Sequence, residues 1–229
     1  MSSRREQRTT ERHVRNARYK RVHFGIPRKS CRIAARSLPR QFVPPEDWHE
    51  PLEGPKDGFR VVVQDPGPGF AHVVTPTEIE QRLSMLPQWM LKHLDVVQLS
   101  QMTRKKLRLP CYGMQWGTAL YLYPVEEMLV EVFNRPPQPA VLVETNMYGG
   151  KWVKDVPGMW KLVWNEQTIK DFYLNNILIH ELGHMLDNRN NSYVDRERFA
   201  EWFAIQYGYL PSRAGNKSKK RLKRRHHAC

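Results

Sequence analysis

The sequence predicts an α+β fold, and three observations predict it. Short apolar runs bounded by proline and glycine occupy residues 59–164. From Gln167 to Asp187 the apolar residues recur at helical spacing instead, at Ile169, Phe172, Leu174, Ile177, Leu178, Leu182 and Leu186. After a polar break at Asn188–Ser192, a second helical stretch runs from Tyr193 to Gly208. Several strands followed by two helices is an α+β plan.

Within the first block each element has its own signal. Pro44, Pro45, Pro51 and Pro55 make residues 44–58 a linker-like entry. Phe59–Gln64 reads as a strand closed by Asp65-Pro-Gly-Pro-Gly69, with Phe70–Val74 as its expected partner. A helix starts near Thr77, an N-cap with Glu80 three residues on, and Pro87 divides it. Asp95–Leu99 and Gly117–Tyr123 are expected strands, Glu126–Phe133 a short helix, and Ala140–Thr145 and Lys161–Trp164 further strands. Trp116, Trp152, Trp160 and Trp164 are interleaved with apolar residues, not with Lys or Arg, and are expected in the core and not as base-stacking platforms.

Charge divides the chain. Of 229 residues, 40% are apolar and 26% charged, which excludes a wholly disordered protein. The net charge of +14 comes from the ends. Residues 1–44 carry +11, residues 211–229 carry +8, and residues 45–210 carry −5. The domain is therefore expected over 45–210, with two basic tails whose like charges repel and attract polyanions. No apolar stretch is long enough for a membrane helix. The polar, arginine-rich start suits neither a secretory signal nor a mitochondrial presequence, so a cytoplasmic protein is expected. Cys31, Cys111 and Cys229 are odd in number and far apart, so no disulfide framework is expected.

Chemistry concentrates in the first C-terminal helix, which contains His180-Glu181-Leu182-Gly183-His184. Two histidines at i and i+4 share a helical face, and their imidazoles can converge on one cation, Zn²⁺ above all. Glu181 then stands beside the metal's open position, as a general base for a water attacking a carbonyl carbon. The third ligand must come from another segment. Glu197, Glu201 and Asp195 are the candidates, in the run that leads into Glu197-Arg-Phe-Ala-Glu-Trp-Phe-Ala204. At helical spacing Glu197, Ala200, Glu201 and Ala204 share a face whose alanines allow close approach to the histidine helix. Asp187, three residues after His184, would either orient a ligand imidazole or simply end the helix. His226, His227 and Cys229 follow a solvated basic run and suggest adventitious metal binding only.

This constellation resembles the glutamate-zincin metallopeptidases. His180–His184 followed by Glu-x-Phe-Ala-Glu-x-Phe is similar to the anthrax lethal-factor type. Glu197, Ala200, Phe203 and Ala204 also match the Glu-x-x-Ala-x-x-Phe-Ala run of the anti-repressor proteases of mobile elements. The resemblance covers residues 167–208, and only 12 residues separate His184 from Glu197, fewer than in the lethal-factor type. It implies a zincin-like mixed sheet packed on the histidine helix, with Glu197 as the third ligand. It also implies a tyrosine, here Tyr193, as donor to the oxyanion. The metzincin pattern is disfavoured, because Asp187 and Asn190 stand where its glycine and third histidine would be. The expected function is thus a zinc-dependent metallopeptidase acting on a protein or peptide, with Glu201 and Asp187 in supporting positions. The strand at Ala119–Tyr123 is a candidate edge for β-augmentation by substrate. A binding protein of another class remains the alternative: basic tails contacting nucleic acid and a zincin-like domain that is inactive or structural. Glu181 discriminates, since a structural metal site needs no carboxylate beside an open position.

Overall fold

The computed structural model describes residues 46, 48–50, 58–108 and 111–214; of the basic tails expected at 1–44 and 211–229, residues 1–44 and 215–229, with His226, His227 and Cys229, lie outside the described residues. Among the described residues nine strands form three sheets. The sheet that carries the site holds β1 (Arg60–Val63), β3 (Val96–Leu99), β4 (Gly113–Trp116) and β5 (Ala119–Leu122), in the order β1-β3-β5-β4. β1, β3 and β5 are parallel, and β5 returns antiparallel from β4 across the Gly117-Thr118 turn, where Gly117 adopts φ 60°. β2 (Phe70–Ala71) pairs with β6 (Val125–Glu126), and β7 (Val130–Phe133), β9 (Trp160–Val163) and β8 (Lys151–Lys154) make an antiparallel three-stranded sheet.

Side-chain alternation along β3 and β5 sets the two faces. Val97, Leu99, Leu120 and Leu122 join the main core with the helices, while Val96, Ala119, Tyr121 and Tyr123 face the other way with Cys111 and Met114. Glu46, Trp48 and His49 cover that second face. Glu46 accepts from the Tyr123 hydroxyl (2.8 Å) and pairs with Lys106, His49 meets Gln98 (2.7 Å), and Trp48 packs edge-on against Trp116.

The helices are α1 (Pro76–Ser84), α2 (Arg104–Arg108), α3 (Pro139–Met147), α4 (Glu166–Phe172), α5 (Leu178–Leu186) and α6 (Tyr193–Ala204). A π-turn, Tyr173–Ile177, joins α4 to α5 without a break, and a second π-turn, Ile205–Tyr209, extends α6. Each π-turn inserts a residue and rotates the helical phase of the residues after it. The two π-turns meet: a Cβ on Gly208 would lie 1.9 Å from the Asn175 carbonyl oxygen. Arg82 of α1 ties them together, donating to the Asn175 side chain (2.6 Å) and to the Tyr207 carbonyl. Phe172 sits in an aromatic cage with Trp164 (4.9 Å), Tyr112 (5.2 Å) and Tyr148 (5.5 Å) between ring centroids.

Several sequence expectations change. The α1 cap is Thr75 with Glu78, two residues earlier than expected, because Pro76 occupies the first turn where its missing N–H costs nothing. Phe70–Ala71 pairs with β6 and not with β1. The segment expected to be helical at Glu126–Phe133 is instead β6 and β7, turned between them at Leu129 (φ 52°). The segment expected to be a strand at Ala140–Thr145 lies in α3, where Pro139 opens the helix and the Thr145 hydroxyl bonds back to the Val141 carbonyl (2.7 Å). Trp164 is buried as expected, whereas Trp116, Trp152 and Trp160 are half-buried. Cys111 is disulfide-bonded, its partner lying outside the described residues. Cysteine spacing could not foresee this, since distant segments meet only in the fold. Among the described residues no helix is long and apolar enough to cross a membrane.

Candidate metal centre

The apolar positions of α5 dock it on the sheet. Leu178, Ile179 and Leu182 have no exposed surface, and neither does His180 or Glu181. A buried imidazole or carboxylate needs a polar partner, so this helix brings costly groups inside for a reason other than packing. α6 crosses α5 where both are small. A Cβ on Gly183 would come within 3.1 Å of both the Ala200 Cα and the Phe203 Cβ, and Ala200 and Ala204 are fully buried. Arg196 adds a register lock by donating to the His184 carbonyl (3.1 Å), one of the carbonyls left over at the end of α5.

That crossing brings three side chains to one point. The Nε2 atoms of His180 and His184 are 3.0 Å apart, with ring planes at 83°. The Glu197 carboxylate lies 3.6 Å from His180 Nε2 and 3.5 Å from His184 Nε2. Tetrahedral coordination at about 2.0–2.1 Å places donor atoms about 3.3 Å apart, so the three separations bracket what one small cation requires. Two imidazole nitrogens and a carboxylate are also the donor types that a borderline-soft divalent ion accepts. The group His180, His184 and Glu197 could hold a metal ion.

The remaining expected residues separate by geometry. Glu201 is exposed and is not part of the converging group, because the contact face of α6 runs through Ala200 and Ala204 to the other side of Glu197. Asp195 is committed to the start of α6, where it accepts from the Ser192 hydroxyl (2.6 Å) and the Arg198 guanidinium (3.4 Å). The Asp187 carboxylate accepts from the Asn190 backbone N–H (3.2 Å), the Asn190 amide (3.0 Å) and the Arg189 N–H (3.3 Å). It thereby shapes the loop that turns α5 into α6. Tyr193 opens α6, half-buried, one turn ahead of Glu197.

The strand expected at the edge is not there. β5 pairs on both sides, with β3 and β4, and β4 ends the described strand order. β4 lies against α5: a Cβ on Gly113 would fall 2.9 Å from Glu181 Cγ and 3.0 Å from its Oε1. Sequence reasoning missed both Gly113 and the strand it belongs to. The one signal available was a glycine flanked by large residues, Tyr112-Gly-Met114. Tyr123, just after β5, is held protonated well above its usual range by burial, by the charge and hydrogen bond of Glu46, and by the charge of Glu181.

The crossing yields a specific expectation. Gly183→Ala forces α6 off α5 by a few tenths of an ångström, comparable with the ~0.5 Å to which the groups of a site must be held. Affinity for a divalent cation, read by chelator competition, is expected to fall about tenfold, or about 1.4 kcal/mol, with the far-ultraviolet circular dichroism unchanged.

No family model matches this chain, nor does any curated protein or solved structure.

Proposed function

We propose that this protein is a zinc-dependent metallopeptidase, with Glu181 as general base and a protein or peptide as substrate. The observation that carries the reading is the convergence of His180, His184 and Glu197 on one point, with the buried Glu181 next to His180 on the same helix. Zinc held there would lower the pKa of a bound water to about 7 and polarise a substrate carbonyl.

The chain's own groups supply the rest. Glu181 takes the proton from the attacking water as the new carbon–oxygen bond forms. It returns that proton to the amide nitrogen as the carbon–nitrogen bond breaks, so charge and atoms balance over the cycle. Tyr193, one turn ahead of Glu197, is the candidate donor to the oxyanion. β4 is the candidate substrate-pairing strand. The Tyr123 N–H donates to the Tyr112 carbonyl (2.9 Å), so the antiparallel alternation turns the backbone groups of Gly113 and Gln115 away from β5. An extended peptide added at that edge would lie alongside α5.

The test is Glu181→Gln in the full chain. Hydrolysis of a quenched-fluorescent peptide library is expected to fall about 10²–10⁴-fold, with one zinc per chain retained by elemental analysis. A fully active Glu181→Gln chain would remove Glu181 as the base. A parent chain without stoichiometric divalent metal would leave a hydrogen-bonded His–His–Glu cluster and no peptidase.

A further inference from the structure

We propose that Gly113 is a positioning residue: the space left by its missing side chain is where the Glu181 side chain is held, and it sets the base against the substrate-pairing edge of β4. This rests on the reading of Glu181 as general base. Glycine inside a strand weakens it, through backbone entropy and lost packing. Turn geometry does not require it at this position, because the φ of Gly113 lies outside the left-handed region that Gly117 adopts. Space does. A Cβ there would stand 2.7 Å from Ile177 Cγ2, 2.9 Å from Glu181 Cγ and 3.0 Å from Glu181 Oε1.

Neither neighbour can give way cheaply. Ile177 and Glu181 are one helical turn apart, both have no exposed surface, and their helix is held by the sheet on one side and α6 on the other. A methyl group at 113 therefore displaces the Glu181 side chain, the one of the two that ends in a rotatable polar group. The displacement matters because neighbouring strands lie about 4.8 Å apart. A peptide residue paired opposite Gly113 comes within reach of a carboxylate seated against the Gly113 α-carbon, and a shift of about 1 Å in such a group can cost about a hundredfold in rate.

The test uses the full chain and two readouts. Gly113→Ala is expected to lower kcat on the same peptide library by about ten- to a hundredfold, with KM within about threefold and zinc content unchanged, since the backbone groups that would pair with substrate are kept. Melting temperatures of the metal-free parent, Gly113→Ala, Glu181→Ala and the double variant give the second readout. The drop caused by Gly113→Ala is expected to be larger with Glu181 present than with alanine at 181, a coupling that strand propensity alone would not produce. Unchanged kcat in Gly113→Ala, or equal drops in both backgrounds, would overturn the inference. If Gly113→Ala does not fold, the same substitution in Ile177→Ala, which removes the closest contact, takes its place under the same criteria. An inactive or metal-free parent chain would overturn the peptidase reading itself, and it is told apart because the parent is measured alongside.

Discussion

Replacing Glu197 by alanine is expected to cost the chain its metal, with divalent-ion affinity reduced at least about a hundredfold, or about 2.8 kcal/mol. The carboxylate is the only anionic member of the converging group, and it faces both imidazoles, at 3.6 and 3.5 Å. Without it, two buried imidazoles remain, which offer a divalent ion two donors and no anionic ligand. Glu201→Ala is the matched control: one turn along the same helix but exposed, it is expected to leave affinity within about twofold. Elemental analysis and chelator competition on the two variants decide the ligand. Retention of zinc by Glu197→Ala together with loss by Glu201→Ala would reverse the assignment.

Gly208→Ala is expected to be among the most destabilising single-methyl additions in the described chain. The added carbon would lie 1.9 Å from the Asn175 carbonyl oxygen and 2.9 Å from its carbonyl carbon. Both are backbone, so no rotamer change relieves the overlap. The two π-turns would have to separate, and Arg82 would then lose its simultaneous hold on Asn175 and the Tyr207 carbonyl. Overpacking costs about 1–3 kcal/mol where side chains can adjust. Here a loss of about 3 kcal/mol or more is expected, or about 6–12 °C in Tm for a domain of this size. Thermal unfolding of the metal-free chain measures it without involving the site. A Tm within about 2 °C of the parent would show that the two turns part easily.

Much of the site was legible because its signals are local. The His180–His184 spacing lies on one helix, and the apolar run from Ile169 to Leu186 predicted that helix correctly, although it could not reveal the π-turn at Tyr173–Ile177. β1, β3, β5 and β9 were read from short β-branched or apolar runs, whereas β6 and β7 were not. Val125–Glu126 and Val130–Phe133 are strands only because β2 and β9, distant in sequence, pair with them. Val141-Leu-Val143 has strand-like composition, but Pro139 and the inward-facing Thr145 and Tyr148 make it a helix lying on the core. Propensity is a weak prior where a nonlocal partner decides.

By itself the sequence determined the α+β plan, the two helices and the histidine pair, since hydrophobic period and i, i+4 spacing act within one element. Three things waited on the tertiary structure. That Glu197 and not Glu201 converges with the two histidines follows from where α6 crosses α5, at Gly183 and Ala200. Among the described residues the sheet ends at β1 and β4, and β5 lies inside it. Gly113 became visible only as the space that Glu181 fills. Each is a relation between segments far apart in the chain, fixed by how closely two backbones approach, and close packing registers such approaches to a few tenths of an ångström.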